Sequence, residues 1–344
     1  MKTVWKWVGM SLAFLLTVIG ILLLTSFLYN RNAVRRWLSD PQPPGTMVDI
    51  GTHKLYATVR GEGEPAVVMI NGLNAFSWGW WEIQHKLSDT TRVLTYDRGG
   101  FGWSEKNPEP ISSRQIVLEL HALLEETGVR PPYIIVGASM GGVYAKHFGK
   151  LFPNEVAGAV FVDPSAFSEQ MLRDPRIQEQ VLKGSERPSL IKIAATLGLV
   201  RLFGRRYLRI PRIPDRQFSL LIKALSNPRQ HDVSMEQWVS IHRVDENHYL
   251  SAPEGFPDVP VRVIVNDIDV MIQDALEVGE IEESETGRTR QYLEAIKERQ
   301  RRDFMTLSAR SEWIRAEGSN HNIQIDRPDL IIEEIMEMVN QAEP

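Results

Sequence analysis

A long uncharged apolar run near the amino terminus dominates the hydrophobic pattern of the chain. Trp7 to Tyr29 is 23 residues without a charge, with Lys2 and Lys6 before it and three arginines soon after it. A helix of that length rises about 34 Å at ~1.5 Å per residue, which is enough to cross a hydrocarbon core of ~30 Å. The pattern predicts an N-terminal flank over 1–6 and a transmembrane anchor over 7–29.

A cleaved signal peptide is the alternative interpretation of this run. It is disfavoured because such apolar segments are usually ~7–15 residues long and precede a small-x-small site, whereas this run ends in Thr-Ser-Phe-Leu-Tyr-Asn. Two lysines and the amino terminus nearly balance Arg31, Arg35 and Arg36, so the side of the membrane stays open, with the extracytoplasmic side preferred for the rest of the chain. A linker is predicted over 30–45, ending in the extended spacer Asp-Pro-Gln-Pro-Pro-Gly.

Short apolar runs alternate with helix-like spacing in the remainder. Strands are predicted at 48–50, 55–59, 66–70, 93–96, 133–136, 156–162, 261–265 and 313–316, and helices at 80–87, 116–126, 143–151, 290–306 and 328–339. Most of these strands are apolar on both faces, as buried parallel strands are. The alternation predicts an α/β fold with a mainly parallel sheet. Residues 165–258 lack a convincing strand, which predicts a helical cap inserted between two parts of the core, 46–164 and 259–344.

Composition and charge exclude several kinds of chemistry. The 344 residues are 43% hydrophobic and 24% charged and include no cysteine, so no thiol nucleophile, disulfide or cysteine-ligated metal is expected. A net charge of -5 gives no general attraction to nucleic acid, which is not expected as a partner. There is no P-loop, dinucleotide fingerprint or paired His-x-x-x-His, so we expect no cofactor and no metal.

The segment from Tyr133 to Gly142 carries the strongest chemical signal. It places Gly137-x-Ser139-x-Gly141 directly after a buried strand and before a helix, which is the context of a nucleophile elbow. The sharp turn brings backbone segments close together, and this favours glycine on both sides of the nucleophile. Ser139 is the predicted nucleophile. A second match at Ser77 follows a loop and is interpreted as a decoy.

A serine nucleophile needs a base and an acid. His321 lies in a loop after the last predicted strand, which fits the chain order Ser, acid, His of such sheets. Asp269 is the preferred acid because it follows a strand with room to reach the histidine loop, and Asp163 and Asp267 are the alternatives. The other histidines are expected to be structural or solvated, with His242 and His248 possible lining residues of a cap pocket.

An oxyanion needs backbone donors near the nucleophile. The Met140 amide at the start of the predicted helix is one candidate, and Gly72 permits a turn that aims the Leu73 amide at the same place.

Five segments together resemble the α/β-hydrolase superfamily, over about residue 46 to the end. They are Asn71-Gly72, Tyr96-Asp97-Arg98-Gly99-Gly100-Phe101-Gly102-Trp103-Ser104, Gly137-Ala138-Ser139-Met140-Gly141-Gly142, Asn266-Asp267-Ile268-Asp269 and Gly318-Ser319-Asn320-His321. The resemblance is greatest to the cap-bearing branch with serine esterases, cofactor-free haloperoxidase-like enzymes and epoxide hydrolases. It implies an α/β-hydrolase fold with a mostly parallel eight-stranded sheet, flanking helices and a helical cap after the sixth strand.

By position, the resemblance also implies roles for single residues. It makes Ser139, Asp269 and His321 the triad and the Leu73 and Met140 amides the oxyanion hole. Many relatives have His-Gly where this chain has Asn71-Gly72, so the hydrogen bonding of that histidine must differ here. The segment from Asp97 to Ser104 is interpreted as a structural turn, and a serine at 139 argues against the epoxide-hydrolase reaction, which uses aspartate there.

The sequence therefore predicts a membrane-anchored serine hydrolase that cleaves a carboxylic ester or a related small-molecule or lipid-like acyl substrate. Amide or lactone hydrolysis and a haloperoxidase-like reaction remain open with the same triad. A membrane-tethered binding protein on a hydrolase scaffold is the non-enzymatic alternative.

Two charged segments of the chain lie outside the predicted triad and oxyanion hole. Six arginines fall within sixteen residues of the predicted cap, interleaved with apolar side chains: Arg201, Arg205, Arg206, Arg209, Arg212 and Arg216. They could touch anionic headgroups, but a solvated surface with snorkelling arginines is the preferred interpretation. The acidic run from Glu277 to Glu285 is interpreted as a solvated loop or helix start.

Overall fold

The structure is a computed structural model of the chain, and it describes residues 2–41, 44–166, 179, 189–208, 212–242 and 255–342. Parts of the predicted cap, together with His248 and Arg209, lie outside the described residues.

The described strands form one eight-stranded sheet with the strand order β1-β2-β4-β3-β5-β6-β7-β8. The strands are β1 (Thr46–Asp49), β2 (Lys54–Arg60), β3 (Ala66–Ile70), β4 (Val93–Tyr96), β5 (Tyr133–Ala138), β6 (Val156–Val162), β7 (Val261–Val265) and β8 (Ser311–Arg315). The pairs β1–β2 and β2–β4 are antiparallel, and every other pair is parallel. The prediction of a mostly parallel eight-stranded sheet is confirmed.

Helices cover both faces of the sheet, because successive side chains of a strand point to opposite sides. In β3, Val68 packs with the helices on one face and Val67 with those on the other. The helices of the first face are α3 (Ser113–Glu126), α4 (Met140–Leu151) and α10 (Thr286–Phe304), and those of the second face are α2 (Trp81–Leu87) and α12 (Pro328–Ala342). Burial on both faces explains why these strands are apolar throughout.

The described residues between β6 and β7 form helices and no strand. They are α5 (Leu190–Thr196), α6 (Leu199–Tyr207), α7 (Asp215–Leu225) and α8 (Pro228–Ile241), and the helices α9 (Ile268–Val278) and α11 (Ile323–Asp326) follow β7 and β8. The position of α5 to α8 after the sixth strand agrees with the predicted helical insertion.

The first helix, α1, runs from Lys2 to Ser39 without interruption. Val4–Ser39 is long and apolar enough to cross a membrane, and it is the one such helix in the described part of the chain. The helix thus continues through the first ten residues of the predicted linker over 30–45, as far as Ser39. No proline or glycine occurs between Gly20 and Pro41, and Val34 and Trp37 are buried, so both local propensity and packing continue the helix.

Contacts divide the chain into two compact units. The described residues 2–40, 189–208 and 214–232 form one, here called the anchor unit. The other, here called the sheet unit, contains the sheet and its flanking helices, together with residues 212–213 and 233–242.

Candidate active site

Ser139 occupies the single residue between the end of β5 and the start of α4. Its backbone has φ 51° and ψ -120°, a left-handed conformation that is rare for a residue with a side chain. Its N–H donates to the Val162 carbonyl at 2.9 Å, and its carbonyl accepts from the N–H groups of Gly142 at 3.0 Å and Ser165 at 2.9 Å. Hydrogen bonds on both sides therefore hold this strained turn in place.

Close backbone approach explains the two glycines of the turn. A Cβ at Gly137 would lie 2.5 Å from the Gly141 carbonyl oxygen, and a Cβ at Gly141 would lie 2.3 Å from the Ile70 carbonyl oxygen. Neither distance is possible for a real side chain, so β5 can turn into α4 beside β3 only with glycine at both positions. The local geometry is that of the predicted nucleophile elbow.

Both predicted oxyanion donors belong to segments that adjoin Ser139. A Cβ at Gly72 would lie 3.1 Å from the Ser139 Cβ, so the turn before Leu73 contacts the serine directly. Met140 is the first residue of α4, and N–H groups in the first turn of a helix have no acceptor within the helix. The Leu73 and Met140 amides are thus available candidates for a charged oxygen near Ser139.

Arg98 braces the turn at Asn71 and Gly72. Its guanidinium is buried, donates to the Asn71 carbonyl and reaches the Gly72 carbonyl at 2.7 Å. The Asn71 side chain donates to the Tyr96 carbonyl at 2.9 Å. The motif around Arg98 was predicted to be a structural turn, and this contact was not predicted, because its one signal is a charged residue two positions after a buried strand.

His321 is paired with Asp163. The His321 Nδ1 lies 2.5 Å from the Asp163 Oδ2, and this carboxylate is buried while 46% of the imidazole side chain is exposed. Asp163 directly follows β6, and Val162 of β6 is in register with Ala138 of β5. The carboxylate therefore lies just past the end of β6, beside the strand that leads into the turn at Ser139. The imidazole is exposed and accessible to an incoming molecule.

Asp269, the acid preferred from the sequence, does not contact His321, and the carboxylate that does is Asp163, one of the two alternatives. Asp269 lies in the first turn of α9 with its side chain 63% exposed, 2.5 Å from an Arg290 guanidinium nitrogen. Asp267 caps α9 and receives Arg315 at 2.7 Å, so it too is engaged elsewhere. Asn266 and Asp267 separate β7 from α9, and the first turn of α9 carries Asp269 outward.

Two side chains of α10 complete the surroundings of Asp163. Lys297 Nζ lies 2.6 Å from the Asp163 Oδ1, and the Gln300 amide donates to the same oxygen at 3.1 Å. Residues three apart on a helix share a face, which is why both reach one carboxylate. Sequence reasoning missed them because nothing local links a charged helix near residue 300 to residue 163.

Electrostatics follow from these contacts. Burial of the Asp163 carboxyl raises its pKa, but the hydrogen bond and charge of His321 and the charge of Lys297 lower it by more, so the net pKa is well below its usual range. Desolvation lowers the pKa of His321, the Asp163 hydrogen bond and charge raise it, and Lys297 lowers it, with a net rise. Asp163 is therefore ionised at neutral pH and favours the protonated imidazole.

The loop that carries His321 is tied to its neighbours on three sides. Asp267 N–H donates to the Ser319 carbonyl at 2.8 Å, the Asn320 amide donates to Asp274 at 2.8 Å, and Arg212 donates to the Gly318 carbonyl at 2.9 Å. These bonds restrict the loop, so the imidazole is held by its backbone as well as by Asp163.

Ser77 and His242, two other candidate residues, are buried and hydrogen-bonded to neighbouring groups. Ser77 of the decoy motif is fully buried and its N–H donates to Asp97 at 2.8 Å. His242 is buried against the Trp238 carbonyl at 2.7 Å. In the described part of the chain, no group of three histidine or acidic side chains is arranged to hold a metal. Near Ser139, the Ser165 hydroxyl lies 3.5 Å from the serine Oγ.

Curated proteins of known sequence resemble this chain over part of their own length. A curated relative, a probable transporter of Hormonema carpetanum, is 24% identical over 86% of this chain and 43% of its own length. An uncharacterised Bacillus subtilis protein is 23% identical over 47% of this chain and 51% of its own length. The chain thus spans about half the length of these two relatives.

Solved structures of hydrolases have the same fold. An epoxide hydrolase, CorEH, has a TM-score of 0.67 at 15% identity and covers 87% of this chain and 99% of its own. An esterase of Thermogutta terrifontis has a TM-score of 0.60 at 17% identity and covers 86% of this chain and 98% of its own. The profile of the alpha/beta hydrolase family matches residues 67–334, which include Ser139, Asp163 and His321. The chain belongs to the α/β hydrolase family.

Proposed function

We propose that the protein is a membrane-anchored serine hydrolase that cleaves a carboxylic ester or a related acyl substrate. The observation that carries the proposal is the pairing of a buried carboxylate with a half-exposed imidazole, at the sheet edge where a serine occupies a strained strand-to-helix turn. The proposed triad is Ser139, His321 and Asp163. Asp163 replaces Asp269 as the acid because it is the carboxylate bonded to the histidine.

The reaction follows from the atoms available. Because Nδ1 of His321 is bonded to Asp163, Nε2 is left to take the proton of the Ser139 hydroxyl as its Oγ attacks the acyl carbon. Asp163 stabilises the imidazolium, and the Leu73 and Met140 amides donate to the oxyanion. The imidazolium then protonates the leaving group, and water hydrolyses the acyl-enzyme with the same histidine as base.

Two other activities share these residues. Amide or lactone hydrolysis would use the same steps, and a haloperoxidase-like reaction would use the same triad. A binding protein on this scaffold would need neither a strained serine nor a paired imidazole and carboxylate, so their presence together favours an enzyme.

A fluorophosphonate probe tests the nucleophile. The full-length protein in detergent is expected to label once, and Ser139→Ala is expected to abolish labelling. Ser77→Ala is the matched control, because Ser77 belongs to the decoy motif and is buried. Equal labelling of the native protein and Ser139→Ala would overturn the assignment. A series of p-nitrophenyl esters of increasing chain length then sizes the acyl pocket, and flat, serine-independent rates would favour the binding protein.

We also propose that α1 stays attached as an anchor and is not a cleaved signal peptide. Asn30 is buried, and its amide donates to the carbonyls of Ala195 at 2.7 Å and Ser226 at 3.0 Å while its carbonyl oxygen accepts from Arg201 at 2.8 Å. Cleavage that removes Asn30 would leave its polar partners on Ala195, Ser226 and Arg201 without these hydrogen bonds. Intact mass of the membrane-extracted protein tests this, since a mass short by the first ~30 residues would contradict it.

The catalytic part is proposed to lie outside the cytoplasm. The basis is the small difference in positive charge between the two ends of the apolar run of α1. The chain has no cysteine, so Tyr292→Cys, at an exposed side chain of α10, adds a single reactive thiol. Labelling of intact cells by a membrane-impermeant maleimide supports the extracytoplasmic side, and labelling only after lysis contradicts it.

A further inference from the structure

The anchor unit joins the proposed membrane helix to the cap helices through close contacts. Gly198, between α5 and α6, has φ 78°, and a Cβ there would lie 2.6 Å from the Ser26 Oγ and 3.0 Å from the Asn30 Cβ. The Ser26 hydroxyl also donates to the Leu197 carbonyl at 2.7 Å. The turn between α5 and α6 therefore rests directly on α1.

These contacts fix the level of α6 relative to the apolar run of α1. Ser26 and Asn30 lie one on each side of Tyr29, the last residue of the run. The turn at Gly198 is thus level with the end of the segment proposed to span the bilayer. Leu202 is four residues beyond Gly198, or about 6 Å along a helix at ~1.5 Å per residue, which is within the ~5–10 Å depth of an interfacial helix.

The outer side of α5 and α6 is apolar and exposed. On α6, Val200 and Gly204 are buried against the unit, while Leu202, Phe203 and Tyr207 are 52%, 50% and 73% exposed. On α5, Leu190 and Ile193 are also exposed. Leu190, Ile193, Leu202, Phe203 and Tyr207 are called the outer apolar face. Exposed aromatic and aliphatic side chains in a group mark an interaction surface, whereas single ones do not.

The charges beside this face match a lipid surface. Arg206 lies among the exposed apolar residues of α6, and Arg205 lies at their margin. Arginines beside large apolar side chains on a short helix are the pattern of helices that lie in the headgroup layer of anionic bilayers. The apolar side chains of α1 are also exposed within the anchor unit. A bilayer that covers them would adjoin the outer apolar face.

We propose that the outer apolar face is a second membrane contact, lying in the interfacial layer of the leaflet from which the carboxyl-terminal part of α1 emerges. Arg206 contacts anionic headgroups there. The inference rests on the part of the proposed function that makes α1 a transmembrane anchor, and it is independent of the triad.

Depth measurements in vesicles test this contact on the full chain. Phe203→Cys, Leu22→Cys and Tyr292→Cys each introduce one thiol for an environment-sensitive fluorophore, in vesicles of phosphatidylcholine and phosphatidylglycerol. Leu22 is in the middle of α1, and Tyr292 is an exposed aromatic residue of the sheet unit. We expect nitroxides near the headgroups to quench the label at 203, nitroxides deep in the acyl chains to quench the label at 22, and neither to quench the label at 292.

The outcomes separate this inference from the proposals on which it depends. A quenched label at 22 with labels at 203 and 292 equally unquenched overturns the second contact and leaves the anchor intact. An unquenched label at 22 overturns the anchor and, with it, the second contact. Shielding at 203 that grows with the protein-to-lipid ratio assigns the face to a second copy of the chain and overturns the lipid assignment. Fluorophosphonate labelling of Ser139 in the same samples reports the triad separately.

A charge variant tests the headgroup contact. With the label at 203, Arg206→Glu is expected to reduce quenching in vesicles that contain phosphatidylglycerol and to have a smaller effect in pure phosphatidylcholine. Lys223→Glu, at an exposed position of α7 in the same unit, is the matched control. An equal loss in both lipids would overturn the role of anionic headgroups.

Discussion

The Asp163 carboxylate lies between the imidazole of His321 and the ammonium of Lys297. One oxygen is 2.5 Å from the His321 Nδ1 and the other is 2.6 Å from the Lys297 Nζ, and only 5% of the Asp163 side chain is exposed. Both carboxylate oxygens are engaged, and water screens their charge only weakly. The same contacts therefore fix the orientation of the imidazole and the charge of the carboxylate.

Asp163 is expected to be the acid of the triad. Asp163→Asn keeps the size of the side chain but removes the charge that stabilises the imidazolium, and loss of this charge in a serine triad lowers kcat by about 10⁴-fold. Esterase assays of purified protein check this. Asp269→Asn is the matched control, because Asp269 is exposed and paired with Arg290, and kcat is expected to stay within about two-fold. A large loss of kcat in Asp269→Asn together with a small loss in Asp163→Asn would restore Asp269 as the acid.

Lys297 is expected to set the pH at which the enzyme becomes active. Its charge lowers the pKa of His321, and the base must be neutral to take the serine proton. Lys297→Met therefore raises the pKa of His321 and moves the acid limb of the kcat/KM profile to higher pH. Lys297→Arg keeps the charge and is expected to keep the limb closer to its native position. An unmoved limb in Lys297→Met, with full activity, would contradict an electrostatic role.

Arg98 is expected to support both stability and the oxyanion turn. Arg98→Met leaves the buried carbonyl oxygens of Asn71 and Gly72 without this donor, at ~1–3 kcal/mol each, so a loss of about 2–6 kcal/mol in the free energy of unfolding is expected. The Leu73 amide would lose its support, which lowers kcat more than it raises KM. Denaturant unfolding and steady-state kinetics measure the two effects. Lys106→Met, at an exposed ion pair with Glu236, should change neither.

The two serine motifs are expected to respond differently to the same substitution. Gly141→Ala places a Cβ 2.3 Å from a backbone oxygen, so it should cost about 3 kcal/mol or more and abolish labelling of Ser139. Gly79→Ala, in the decoy motif, meets no atom within 4 Å and should change stability by less than about 1 kcal/mol. Thermal unfolding and probe labelling compare them. Similar losses for both variants would mean that the turn at Ser139 is not tightly packed.

The residues whose roles depend on local chain geometry could be predicted from the sequence. The apolar strands, the turn at Ser139 and the late loop with His321 each have a signal within a few residues. The bounds of α1 show the limit of such signals, because hydropathy marks the end of the apolar run at Tyr29 but not the packing of Asn30, Val34 and Trp37 that continues the helix to Ser39.

The α/β alternation, the membrane-length apolar helix and the candidate nucleophile and base could be predicted without a structure, because hydrophobic period and glycine spacing are local properties. The contact of Asp163 with His321 and the positions of Lys297, Gln300 and Arg98 around the site depend on how distant parts of the chain fold together. Asp163 and Asp269 both follow parallel strands, but Asp163 lies directly after β6, whereas Asp269 lies in the first turn of α9. The contacts of Asp163 with His321, Lys297 and Gln300 join residues more than a hundred positions apart, so no pattern within a few residues of the sequence can indicate them.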